Sequence, residues 1–153
     1  PLLLIIACAS VFSYGLTALQ MPVIVNNLIL SLTNNKYVFL LLVNILLLIM
    51  GMFMDGGASV IILAPILTPV AVALGISTVH FGIIMALNLT IGNITPPLGY
   101  CLFIGSRIGE INVERGIKGT VPYLIAEVVA LLMITYIPAL VTFVPVMLGY
   151  SVA

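Results

Sequence analysis

Two short polar segments interrupt the apolar runs of this sequence, and both carry residues suited to binding ions. The first, at residues 55–59, is DGGAS, and the second, at residues 92–97, is GNITPP. Two consecutive prolines remove two backbone donors and stop an α-helix from continuing straight. In lipid, the carbonyl groups freed by such a break must be satisfied by protein or by a water-filled cavity. Transporters bind ions and substrates at breaks of this kind near the middle of the bilayer.

The second segment offers neutral oxygen atoms. The side chains of Asn93 and Thr95 and the carbonyl group of Gly92 suit Na⁺, because it is a hard cation that prefers oxygen ligands. A structural proline kink is the alternative interpretation. A kink alone, however, does not require the neighbouring Asn and Thr, so the sequence favours an ion site.

A substrate-binding set is predicted beside this ion site. We expect a helix to begin near Pro96, and its positive N-terminal end favours an anionic group at the break. Asn88 and Thr90 come just before the break and could complete the same site. The candidate substrate-binding residues are therefore Asn88, Thr90, Pro96 and Pro97.

The first segment is predicted to contribute the rest of the ion site. Asp55 is the only acidic residue in the first 109 positions, and a carboxylate inside a membrane costs at least ~2.5–3.5 kcal/mol unless it has a partner or water. Gly56 and Gly57 let backbone groups turn into a cavity without a Cβ in the way, and Ser59 can cap the helix that follows. An ordinary loop with a capping Asp is the alternative. The predicted ion-binding set is Asp55, Gly56, Gly57, Ser59, Gly92, Asn93 and Thr95.

The composition is that of an integral membrane protein. Of 153 residues, 63% are hydrophobic and 5% are charged, and the mean hydropathy is +1.42, whereas about a quarter of the residues of a soluble domain are charged. Four Lys and Arg balance four Asp and Glu, so no basic surface suggests nucleic acid. The sequence shows no nucleophile–base pair, metal-ligand cluster or phosphate loop. We therefore predict that the chain is not an enzyme and needs no cofactor other than Na⁺ as a coupling ion.

The apolar runs predict four membrane elements. Residues 1–33 form a spanning helix followed by a short connecting helix, and residues 37–74 form two arms that meet at Asp55. Residues 79–108 form one helix broken at the second segment, and residues 121–148 form the last transmembrane helix. The two arms are predicted to be either two full spans or a re-entrant hairpin, of which we favour the hairpin. The polar segment 106–120 is predicted to be a loop and holds three of the four cationic residues, which places it in the cytoplasm by the positive-inside rule.

Several motifs, in this order and spacing, resemble one transporter family. They are GMFMD at 51–55, PILTP at 65–69, LGI at 74–76, HFGII at 80–84 and IGNITPPLG at 91–99, with PY at 122–123 and ITYIPAL at 134–140 in support. The sequence resembles the large permease subunit of tripartite ATP-independent periplasmic (TRAP) transporters over essentially its whole length. Since it begins at Pro1 within an apolar run, we expect it to be the C-terminal part of a longer permease.

The resemblance implies an all-α integral membrane fold, namely the second inverted repeat of an elevator-type transporter. It implies Na⁺-coupled import of an organic acid, such as a C4-dicarboxylate or a sialic acid-like compound, into bacteria across the inner membrane. A periplasmic binding protein would deliver the substrate, and a small membrane subunit would be a second partner. The alternatives are a stand-alone ion-coupled anion carrier of the same superfamily and a membrane scaffold subunit that transports nothing.

Overall fold

The computed structural model describes residues 7–8, 11–12, 14–15, 18–20, 23–24, 27, 35–54, 56–96 and 99–149. The helices predicted over residues 1–33 lie largely outside these positions, and so do Asp55 and Pro97. Beyond residue 34 the described residues form six helices, α1 (Lys36–Phe53), α2 (Gly56–Ala73), α3 (Thr78–Ile94), α4 (Tyr100–Ile108), α5 (Val113–Tyr136) and α6 (Ala139–Met147).

Three of these helices are long and apolar enough to cross a membrane, namely α1, α2 and α5. Helix α3 is also apolar but has 17 residues. The prediction of an all-helical membrane chain is confirmed at this level.

Helices α1 and α2 form a helical hairpin that packs along one side of α3. The side chain of Asn35 starts α1 by accepting a hydrogen bond from the Tyr37 amide at 3.0 Å. Gly75 ends the turn after α2 with a φ of +73°, a conformation that costs glycine little. In that turn the Ile76 amide donates to the Ala71 carbonyl oxygen at 2.9 Å, which satisfies one of the last carbonyl groups of the helix.

Helices α1 and α3 run parallel. Their contacts advance together along both chains: Phe39 packs on Phe81, Asn44 bonds Asn88, and Gly51 meets Gly92. Helix α2 runs in the opposite direction, because its first residue, Gly56, lies against the last turn of α3. The core between the three helices is apolar and buried, and it consists of Phe39, Leu40, Val43, Leu47, Leu67, Val70, Ala71, Ile76, Phe81, Ile84, Met85 and Leu89.

The C-terminal half differs from the prediction in its helix bounds. The segment 106–120, expected to be a polar loop, is mostly helical, and α5 begins at Val113 instead of residue 121. Helix α5 then ends at Tyr136, and α6 follows from Ala139, so the segment 121–148 is not one continuous helix. Pro138 explains the interruption, since it has no amide hydrogen to donate to the carbonyl oxygen of Ile134.

Candidate functional site

The two polar interruptions meet in the structure. A Cβ atom built on Gly56, at the start of α2, would lie 3.4 Å from Nδ2 of Asn93 and 3.8 Å from Cβ of Leu89. A cavity of about 270 Å³ opens between the tip of the hairpin and α3, and it is lined by Gly56, Gly57, Val60, Ala86, Leu89, Thr90 and Asn93. Four residues of the predicted ion and substrate sets therefore line one cavity.

Asn93 is the residue of this cavity with an unused ligand atom. Its Oδ1 is buried and has no hydrogen-bond partner among the described residues. Burying an amide oxygen without a partner costs free energy, so a ligand that occupies its lone pairs would stabilise this arrangement. A cation bound at Oδ1 would be such a ligand.

The break between α3 and α4 is a tight turn. The Gly92 carbonyl oxygen accepts the Thr95 amide at 3.0 Å, and the Thr95 carbonyl oxygen accepts the Gly99 amide at 3.1 Å. The Thr95 hydroxyl donates to the Ile91 carbonyl oxygen at 2.7 Å, which leaves the lone pairs of Oγ1 available. A Cβ atom on Gly99 would stand 3.0 Å from the Thr95 carbonyl oxygen, so the turn needs glycine there.

The second half-helix begins later than predicted. Helix α4 starts at Tyr100, whereas Pro96 lies in the turn. Neither proline can donate a backbone hydrogen bond. The Thr95 carbonyl oxygen instead accepts the amide of Gly99, four residues further along the chain. The positive end of α4 is thus displaced from Pro96 toward Gly99.

Ser59 and Thr90 lie on the two helices that border the cavity. Ser59 was predicted to cap the second arm, but α2 begins three residues earlier at Gly56. The Ser59 side chain is fully buried, and its Oγ has no hydrogen-bond partner among the described residues. The Thr90 hydroxyl donates to the Ala86 carbonyl oxygen at 2.8 Å on the exposed face of α3.

Asn88 lies away from the break, in a buried network between α1, α3 and α5. Its Nδ2 donates to Oδ1 of Asn44 at 2.6 Å and to the Ile84 carbonyl oxygen at 2.7 Å. Nδ2 of Asn44 in turn donates to the hydroxyl of Thr135 at 3.1 Å. The structure therefore directs the Asn88 nitrogen at α1, while its buried Oδ1 has no hydrogen-bond partner among the described residues; its role in substrate binding stays a prediction.

Sequence reasoning did not select Asn44, Thr135 or Gly51. Asn44 is the main polar residue in an apolar run of α1, and polar residues inside membrane helices usually face the protein interior. That signal could have identified it. The pairing of Gly51 with Gly92 has no comparable signal, since a single sequence does not show which helices cross.

His80 contacts a backbone carbonyl group that a proline leaves without its helical donor. It is 3% exposed, and its Nε2 lies 2.8 Å from the Ile134 carbonyl oxygen. Since a carbonyl oxygen can only accept, Nε2 carries the hydrogen. His80 thus replaces the backbone donor that Pro138 lacks, and joins the start of α3 to the end of α5.

Comparison with known proteins identifies the family. The family model of the DctM component of tripartite ATP-independent periplasmic transporters matches residues 1–140. The C4-dicarboxylate TRAP transporter large permease protein DctM of Pseudomonas aeruginosa is 43% identical over 150 residues, which are 98% of this chain and 35% of that protein. The sialic acid TRAP transporter large permease protein SiaM of Vibrio cholerae is 36% identical over 149 residues, 97% of this chain and 35% of that protein.

A third relative has a different named substrate. The isethionate TRAP transporter permease protein DctMQ of Oleidesulfovibrio alaskensis is 38% identical over 141 residues, 92% of this chain and 22% of that protein. The chain thus spans about a third or less of the length of these curated relatives. The family match and the three helices able to span a membrane make it a multi-pass membrane protein. The chain belongs to the DctM family, the large permease component of TRAP transporters.

Proposed function

We propose that this chain is the C-terminal part of a permease that imports an organic anion with Na⁺ across the bacterial inner membrane. The observation that carries this proposal is the meeting of the hairpin tip with Asn93: its Nδ2 lies against Gly56, and its buried Oδ1 has no hydrogen-bond partner among the described residues.

The ion site would combine the two interruptions. Oxygen atoms of Asn93, Thr95 and Gly92 would bind Na⁺ from the α3 side, and the tip at Asp55, Gly56, Gly57 and Ser59 would bind it from the other. The cavity between them supports this arrangement. Neutral oxygen ligands suit a monovalent hard cation, and a carboxylate at the tip would balance its charge.

The substrate would be an organic anion bound next to the ion. The relatives are named for C4-dicarboxylate, sialic acid and isethionate, and each of these compounds is anionic at neutral pH. Thr90 lines the cavity, and Pro96 lies in the turn that precedes α4, whose positive end favours an anion; Pro97 would belong to the same set. Asn88 would act indirectly, because its amide is bonded to Asn44.

We infer that the hairpin is re-entrant. Each arm has 18 residues and is about 27 Å long, and the tip is level with the end of α3. The broken helix includes a further 9 residues in α4, about 13 Å of helix. A hairpin shorter than the whole broken helix supports a tip inside the bilayer and a base that projects from it.

The transport step would move the hairpin and the broken helix together. Gly51 and Gly92 hold α1 against α3 through backbone contact, so the two halves of the ion site would travel as one body in an elevator-type motion. A first inverted repeat, supplied by the rest of the permease, would complete the substrate site. A periplasmic binding protein and a small membrane subunit would be the partners, consistent with the tripartite family.

Uptake into proteoliposomes tests this proposal. The full-length permease, its small subunit and its binding protein would be reconstituted, and uptake of C4-dicarboxylates, sialic acid and isethionate measured with and without an inward Na⁺ gradient. Uptake that requires both the gradient and the binding protein is expected. Uptake without the binding protein would indicate a stand-alone carrier, and uptake indifferent to Na⁺ would contradict the ion site.

A further inference from the structure

A continuous series of buried hydrogen bonds joins three helices halfway along the hairpin. The Thr135 hydroxyl donates to the Leu131 carbonyl oxygen at 2.7 Å and accepts Nδ2 of Asn44 at 3.1 Å. Oδ1 of Asn44 then accepts Nδ2 of Asn88 at 2.6 Å. Asn44, Asn88 and Thr135 are each at most 3% exposed, so the series lies entirely inside the protein.

Only one orientation of the two amides satisfies this series. Nδ2 of Asn88 faces the Ile84 carbonyl oxygen at 2.7 Å, which can only accept, so the nitrogen of Asn88 must point there. The atom of Asn44 that faces the same nitrogen must then be its oxygen, and the nitrogen of Asn44 is left to face Thr135. A shift of α1 by one residue along α3 would break the two bonds that Asn44 makes, to Asn88 and to Thr135.

The network lies along the seam between α1 and α3, and the hairpin tip lies at the end of that seam. Along the parallel pair α1 and α3, Phe39 packs on Phe81, Asn44 bonds Asn88 and Gly51 meets Gly92. Asn44 precedes Gly51 by two helical turns, about 10 Å. The apolar contacts of the seam tolerate small shifts, but directional hydrogen bonds do not, and a buried asparagine fixes the register of paired helices in this way.

We propose that Asn44, Asn88 and Thr135 form a positioning network that sets the height of the hairpin tip relative to Asn93, and thereby the affinity for Na⁺. This inference rests on the proposed function of the tip. None of the three residues touches the cavity between the tip and α3. Their effect on the ion would be transmitted through the position of α1 against α3 and α5.

Thr135 provides a matched pair of variants. Thr135→Val keeps the volume and removes the hydroxyl, which leaves one Nδ2 hydrogen of Asn44 without its acceptor, whereas Thr135→Ser keeps the hydroxyl. In full-length permease, Thr135→Val should raise the Na⁺ concentration for half-maximal uptake about fivefold, a typical effect of one remote coupled residue. Thr135→Ser should restore the wild-type value. A Thr135→Val protein that loses only yield, with unchanged Na⁺ dependence, would overturn the proposal.

A second measurement reports the register of α1 along α3 without using transport. Gly57→Cys and Thr90→Cys would be combined in a permease free of other cysteines, since both positions line the cavity, and the rate of oxidative cross-linking would be measured. Adding Thr135→Val should slow cross-linking severalfold, and adding Thr135→Ser should not. Equal rates in all three backgrounds would refute the positioning role, even if uptake proves independent of Na⁺.

A further variant applies if Thr135→Val does not fold. Replacing both amides together, Asn44→Leu with Asn88→Leu, substitutes apolar groups of similar size and leaves neither partner unpaired. This protein should fold, yet show slowed cross-linking and weaker Na⁺ dependence. Wild-type behaviour in both measurements would contradict the proposal.

Discussion

Gly51 and Gly92 place the backbones of α1 and α3 in direct contact near the end of the hairpin. A Cβ atom built on Gly92 would lie 2.6 Å from Cα of Gly51, and one built on Gly51 would lie 2.9 Å from the Leu89 carbonyl oxygen. Both clashes are with backbone, which cannot move aside as a flexible side chain can. The close approach of small residues is a common basis for packing helices in membranes, and here it holds the first arm beside the proposed ion site.

Gly92→Ala is expected to destabilise the permease. The added methyl group would force α1 away from α3 at a cost of about 1–3 kcal/mol, the usual range for overpacking. The matched control is Gly82→Ala in the same helix, where an added Cβ has no neighbour within 4 Å. Thermal denaturation of the purified full-length permease in detergent should show a lower Tm for Gly92→Ala only. An equal Tm for both variants would show that the glycine contact is unimportant.

His80→Phe is expected to destabilise the end of α5. Phenylalanine fills a similar volume but cannot donate to the Ile134 carbonyl oxygen, which His80 approaches at 2.8 Å. Leaving that buried acceptor unpaired should cost about 1–3 kcal/mol. His80→Gln retains an N–H donor and should lose less. The same thermal measurement compares the two, and a Phe variant as stable as the wild type would exclude the bond as a source of stability.

Gly75→Ala is expected to weaken the base of the hairpin. The φ of +73° at Gly75 is unfavourable for alanine, and the cost should be about 1 kcal/mol. Gly75→Asn should be milder, because asparagine adopts this conformation more readily than other non-glycine residues. The order of Tm values, wild type above Asn above Ala, checks the prediction. A reversed order of the two variants would show that the turn changes conformation on substitution.

Much of the fold was predictable from local chemistry. Apolar runs of membrane length predict α1 and α2, Gly75 marks the end of the second arm, and the pair Pro96–Pro97 marks the break after α3. These signals depend on which backbone donors and φ angles a residue type allows, and that is a property of the residue regardless of its neighbours. The two polar interruptions were selected as candidate parts of one site, and the structure brings Gly56 and Asn93 together at one cavity.

The remaining features depend on contacts between distant helices. Asn88 was expected to face the break, but its amide bonds Asn44, and that partner could not be inferred from a single sequence. His80 also depends on a distant contact: it is buried at the start of α3, with its Nε2 against the Ile134 carbonyl oxygen that Pro138 leaves without a backbone donor. Helix α5 begins at Val113 because charged residues are tolerated on its exposed first turns, which hydropathy alone assigned to a loop.

The most direct test of the central claim is the Na⁺ dependence of uptake by an Asn93→Ala permease. The control is Asn112→Ala, which removes the same side chain from an exposed helix start where it makes no capping hydrogen bond. Proteoliposomes with either variant, the small subunit and the binding protein would be titrated with external Na⁺. Asn93→Ala should raise the half-saturating Na⁺ concentration at least about tenfold, whereas Asn112→Ala should leave it unchanged. Identical Na⁺ curves for the two variants in folded protein would contradict an ion site between the hairpin tip and Asn93.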